Sequence, residues 1–261
     1  MPLNHIQSLA AHCASLELCL SPEIAASALS LPIADVRKAL AEATATGFYR
    51  RVLLPHKRTT LAYQPTPKGA GVQVLPGAAA RTPRFLRAGL PPSAAERAML
   101  RAYVALVARP DIRYLTINQQ TAVCSEYAVA ARGHARALMS SGWHIYVPVL
   151  SSDHAIRVVT TAAERWLPAL EPIESALHRP ICTLNFVTST GQSADALRAA
   201  IEQLRGPNLA ADLAALEKRI AADRTGTLVI RHATERMALS TAAKNSSGQP
   251  LWLGTVIEAA C

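Results

Sequence analysis

Aromatic side chains are scarce, at 5% of the 261 residues, while half of the chain is hydrophobic. A sizeable core is therefore allowed, but it has to be built from Ala, Leu, Val and Ile rather than from stacked rings. Long apolar runs are missing as well. No stretch reaches the ~20 apolar residues a membrane-spanning helix requires. The N-terminus has apolar patches but no basic leading segment, and His12 and Glu17 interrupt it, which argues against a signal peptide or anchor. The expectation is a cytoplasmic protein with no membrane partner. Cysteine is sparse: Cys13, Cys19, Cys124, Cys182 and Cys261 are widely spaced, odd in number and form no CxxC. That pattern excludes a zinc knuckle and a disulfide framework and fits thiols in a reducing compartment. GxGxxG, the Walker loop, GxSxG and HExxH are all missing. No metal, cofactor or catalytic residue is expected.

Acidic residues are few in the first part of the chain. Residues 1–113 hold 14 Lys/Arg against 6 Asp/Glu, whereas residues 114–261 hold 13 against 12. Nearly all of the net +9 charge thus belongs to the first 43% of the sequence. A lopsided basic part is what a polyanion-binding surface requires.

That part also has the clearest local signals. Ile6, Leu9, Cys13 and Leu16 recur at helical spacing, and the short apolar piece "ELCL" follows. "SPEIAASALS" begins a helix with Ser21 as N-cap, Pro22 at the first helical position and Glu23 in the first turn. A further helix starts at Pro32, with Ile33, Val36 and Leu40 expected on its buried side, and stops at Gly47. "FYRRVLL", the polar "PHKRTT" and "LAYQPT" read as a two-stranded hairpin. Residues 71–92 are rich in Pro, Gly and Arg and read as a basic linker. Ser93 and Glu96 are spaced as a capping box for a helix over 93–108.

Helix, short strand, short helix, helix and hairpin in that order resemble the winged helix-turn-helix of MarR-like and related bacterial DNA-binding proteins, over about residues 3–70. Leu40, Gly47 and Phe48 stand where that family enters its wing, and Thr66 to Gly69 match the end of the return strand. The resemblance implies a recognition helix presenting Arg37 and Lys38 to a major groove. It also implies a wing carrying Arg50, Arg51, His56, Lys57 and Arg58 to phosphates or the minor groove. Arg81, Arg84 and Arg87 extend the set as a basic arm. Asp35 and Glu42 oppose the two cations of the helix, which favours backbone binding over base readout. The partners implied are double-stranded DNA and a second copy of the chain, since regulators of this build act as dimers on two half-sites.

The remaining sequence reads as a mixed domain, α/β or α+β, with a four- or five-stranded sheet. Strands are expected over 113–118 and 181–189, a hairpin from "WHIYVPVL" to "AIRVVTTA", and a strand over 227–234. Helices are expected over 125–142, 163–178, 193–206 and 208–222. The domain assignment is 1–70 winged helix, 71–92 linker, 93–240 a domain of unknown role that can contact other proteins, and 241–261 a weakly patterned tail. "TLVIRHATE" imitates the strand-Arg-His start of histidine phosphatases, but it lies too near the C-terminus for that fold. Asp111, Glu126, Asp153 and Glu164 form no acid-x-Lys pair of the nuclease type. His144, His154 and His178 are far apart. "STGQSAD" (189–195) puts a glycine in a strand-to-helix turn, a place that can bind an anion or simply begin a capped helix. The function expected is a bacterial transcriptional regulator or a mobile-element DNA-handling factor. The rivals are a nucleic-acid-processing enzyme or degenerate nuclease-like protein, and a protein-binding winged helix.

Overall fold

The computed structural model describes residues 2–54, 61–71, 89–108, 113–114, 135–139, 142–166, 181–205 and 253–260. The architecture is mixed α and β. Two compact units are formed, one from Met1–Gln120 with Ala259–Cys261, the other from Thr121–Glu258.

Unit 1 begins with α1 (Pro2–Ser15), α2 (Pro22–Leu29) and α3 (Ile33–Ala45). Ser21 caps α2, its Oγ accepting from the Ile24 amide at 3.1 Å, and Pro22 presets the first turn. α3 buries Val36, Ala39, Leu40 and Ala43, a single face of period 3.6. Ile33 departs from expectation: it is 38% exposed, standing in the first turn beyond the rim of the core. Gly47 follows α3 with φ +79, a left-handed turn that suits glycine. β1 (Tyr49–Leu53) and β2 (Leu61–Pro65) then pair antiparallel, Arg51 opposite Tyr63. Leu20 joins them through an antiparallel bridge to Tyr63, donating at 3.0 Å and accepting at 2.7 Å.

The core of unit 1 is aliphatic, as the lack of aromatics requires. Ile6, Leu20, Ile24 and Leu40 are enclosed, each contributing about 1.5–3 kcal/mol by burial. Tyr49 is its largest fully enclosed side chain, and its hydroxyl donates to the Ile6 carbonyl at 3.1 Å. A fourth helix, α4 (Pro92–Tyr103), continues into one wide turn at Val104–Ala108. Ala95, Ala98, Met99 and Ala102 belong to the same core cluster as Ile6 and Leu40. The helix expected to open the second domain therefore completes the first. Its start differs too. Pro91 is the N-cap and no side chain caps it, because Pro92 begins the helix one residue early and puts Ser93 inside the first turn. Arg101 of α4 donates to the Glu17 carbonyl at 2.7 Å, in the α1–α2 connection, where Glu17 has φ +53. Burial pulls the Arg101 pKa down, and its Nε is enclosed without a partner among the described residues.

A two-residue strand, β3 (Arg113–Tyr114), lies within the stretch expected to be extended. Unit 2 contains β4 (Ala135–Met139), β5 (Gly142–Pro148), β6 (Ile181–Thr188) and β7 (Leu253–Glu258), hydrogen-bonded in that order. β4 and β5 are antiparallel, and β5, β6 and β7 are parallel. Helices α5 (Ala155–Trp166) and α6 (Gly191–Arg205) follow β5 and β6. Three expectations are corrected here. "AIRVVTTA" is helix, not the return strand of a hairpin: β5 and β6 run parallel, and a crossover must span them. "ARALM", expected inside a helix, is β4, whose Met139 pairs with Gly142 only three positions on. The weakly patterned tail contains β7. The expected helix over 208–222, the strand over 227–234 and most of the helix over 163–178 lie outside the described residues.

Two predictions follow from unit 1. A Cβ at Gly69 would run into the Phe48 carbonyl oxygen and lie 3.2 Å from the Ala10 Cβ. Gly69→Ala should therefore lower the unfolding free energy by about 1–3 kcal/mol in urea titrations. Burial pushes the Cys13 thiol up and raises Cys19 from 9.0 to about 12, against the pull of Arg101 and Arg50. Such thiols stay protonated in the folded state while the unfolded chain ionises. Their stabilisation is complete below pH 9.0 and is lost as pH rises towards about 12. The urea midpoint should fall above that lower value, and less steeply in Cys19→Ala.

Candidate nucleic-acid interface

Four of the ten expected DNA-contacting residues lie in described segments: Arg37, Lys38, Arg50 and Arg51. His56, Lys57, Arg58, Arg81, Arg84 and Arg87 lie outside them. The four do not behave alike. Lys38 is exposed on α3 and has no ion-pair or hydrogen-bond partner among the described residues. Arg37, one position earlier, is held by Glu23 of α2 at 3.2 Å, with side chains 62% and 40% exposed. An ion pair this wet is worth at most about 1 kcal/mol, so a phosphate can replace the carboxylate. Asp35 and Glu42 are exposed on the same helix, which leaves its outer face close to neutral.

On β1 the pleat separates two neighbouring arginines. Arg51 is exposed and, with Leu53 at 69% exposure, forms the outer face of the strand. Arg50 is half-buried. Its Nε donates to Gln64 Oε1 at 2.8 Å, and Gln64 is fully buried. The Leu90 amide donates to the same oxygen at 3.3 Å, and Gly89 lies against the guanidinium. Arg50 thus ties the hairpin to the segment before α4 and is not presented outward.

The turn after β2 carries a further cation. Lys68 Nζ donates to the Thr46 carbonyl at 2.7 Å and stands 5.1 Å from the Phe48 ring centroid. It closes the C-terminus of α3, where the helix dipole is negative. Thr66 Oγ1 donates to the Gly47 carbonyl and accepts from the Gly69 amide. The Thr-Pro-Lys-Gly stretch is therefore a clasp around the α3–β1 turn. Its role was not legible from residue types alone, because the acceptors are backbone carbonyls some twenty positions back.

Among the described residues, no group of three or more His, Cys, Asp or Glu is placed to hold a metal. Asp111, Glu126 and His178 lie outside those residues, and no helix among the described residues is long and apolar enough to cross a membrane. No family model, curated protein or solved structure matches the chain.

The two arginines should separate in a stability assay. Arg50→Ala removes a charged donor from a buried amide and should cost about 1–3 kcal/mol. Arg51→Ala, exposed and without a partner among the described residues, should stay within about 0.5 kcal/mol of wild type in the same thermal or urea melts.

Proposed function

We propose that unit 1 is a winged helix that binds duplex DNA, and that the protein acts in the bacterial cytoplasm as a transcriptional regulator or a DNA-handling factor of a mobile element. The observation that carries this reading is the element order. A helix, the Leu20 bridge, two helices and the β1–β2 hairpin follow one another, with the bridge pairing to β2 as a third short strand. α3 is the recognition helix of this arrangement, and β1 and β2 flank the wing.

Charge supports the reading and shapes it. Nearly all of the Lys/Arg excess lies in residues 1–113, while the outer face of α3 is nearly neutral. Affinity then comes mainly from phosphate contacts, and base discrimination is modest. Lys38 and Arg51 are available at once, and Arg37 after release from Glu23. Arg50 supports the hairpin. Dimerisation on two half-sites completes the proposal.

A second reading, a protein-binding winged helix, is favoured by the exposed Ile33 and Leu53, large apolar side chains on the same two elements. Salt dependence separates the two. Polarisation titrations of a random duplex across a salt series should show tight binding at low salt. The Lys38→Ala/Arg51→Ala double variant should bind more weakly, with a salt slope lower by about 2 and an unchanged melting temperature. An unchanged slope removes these residues from the DNA surface, and no binding at low salt favours the protein partner.

A further inference from the structure

The charged side chains on the exposed side of α3 do not satisfy one another. Asp35, Arg37, Lys38 and Glu42 are all exposed there. Asp35 and Lys38 are three positions apart, and Lys38 and Glu42 four, the spacings at which a helix pairs its own charges. Among the described residues neither pair closes. Arg37 reaches instead to the preceding helix, its Nη2 donating to Glu23 Oε1 at 3.2 Å.

Buried neighbours set both ends of that contact. Glu23 comes just before Ile24 and Ala25, and Arg37 just after Val36, and all three apolar side chains belong to one enclosed core cluster. The pair therefore follows from how α2 packs on α3. Glu23 also has a second electrostatic partner. It stands in the first turn of α2, behind the Ser21 cap and Pro22, where the helix dipole is positive. If Arg37 leaves, the carboxylate keeps that interaction and its water. The Ser21 cap bonds the Ile24 amide and does not involve Glu23, so the turn stays closed without the pair. The contact is thus exchangeable. With Glu23 included, three carboxylates face two cations around the exposed side of α3, an arrangement that opposes an approaching polyanion.

On the reading of unit 1 as a DNA-binding winged helix, we propose that Glu23 is a brake on that binding. Its carboxylate occupies Arg37 in the free protein, and a duplex phosphate has to displace it. Two effects follow. Affinity is lowered by the loss of the pair. The ion balance changes as well: a counterion leaves the DNA when Arg37 meets a phosphate, while the freed Glu23 carboxylate takes up a cation from solution. Complexes that put no phosphate within reach of Arg37 leave the brake on. Glu23 therefore penalises loosely placed duplex more than duplex seated on α3.

Polarisation titrations of a random duplex with the full chain, across a salt series, test the brake in a double-mutant cycle. Glu23→Gln keeps the size of the side chain and removes its charge. It should tighten binding by up to about fivefold, the most that an exposed ion pair contributes. The salt slope should steepen by up to about 1. Glu23→Ala should act in the same direction. In the Arg37→Ala background both effects should largely vanish, because the carboxylate has nothing left to hold. Glu42→Gln separates this from general repulsion. Glu42 holds no arginine among the described residues, so any gain from its neutralisation should be the same with Arg37 present or replaced. Duplex binding that Glu23→Gln leaves unchanged overturns the brake and leaves the DNA reading standing. A gain that persists undiminished in the Arg37→Ala background overturns it too, since simple repulsion behaves in that way. If neither the wild type nor Glu23→Gln binds duplex at low salt, the DNA reading fails and the brake fails with it.

Discussion

The arrangement of unit 1 depends on the reciprocal backbone pair between Leu20 and Tyr63. Leu20 lies in the short connection between α1 and α2, and its side chain is fully buried. The pair therefore fixes the hairpin to the helices from the opposite side to the α3–β1 turn. With Arg101 holding the Glu17 carbonyl of the same connection, three elements converge on a segment of a few residues. Buried backbone groups must be satisfied, so this stretch has little freedom to rearrange while the core is intact. The direction in which α3 turns its polar face follows from that constraint.

Charge by itself is a poor guide to which side chains are available. Arg50 and Arg51 are adjacent and chemically identical, yet one belongs to a buried network with Gln64 and the other to the surface. Arg37 and Lys38 differ in the same way, through Glu23 fourteen positions earlier. A basic count over residues 1–113 thus includes cations that serve the fold. The surface reading rests on the exposed remainder and on the near neutrality of α3.

Much of unit 1 was legible because its signals are local. A Ser-Pro-Glu start, a glycine after the last helical turn and two β-rich runs about a polar turn each act within a few residues. Ile33 was misplaced because helical period continues formally past the rim of the core. α4 was assigned to the wrong unit because nothing local states which core a helix completes. In unit 2 the local signals conflict with the pairing. "AIRVVTTA" is rich in β-branched residues and still forms a helix, since Val159 and Ala162 bury on one side and the parallel strands require a crossover. "ARALM" has good helix formers and still forms a strand, since its pairing with β5 is decided across the sheet. β7 was missed because its partner lies some seventy residues earlier.

The central claim is that α3 and the outer face of β1 meet duplex DNA. Amide chemical-shift mapping on the isotope-labelled full chain tests it most directly. With a duplex added at low salt, the account predicts shifts concentrated at Asp35–Glu42 and at Arg51–Leu53, with the parallel sheet of unit 2 unmoved. Shifts confined to unit 2, or to the α1 surface with α3 silent, would contradict it.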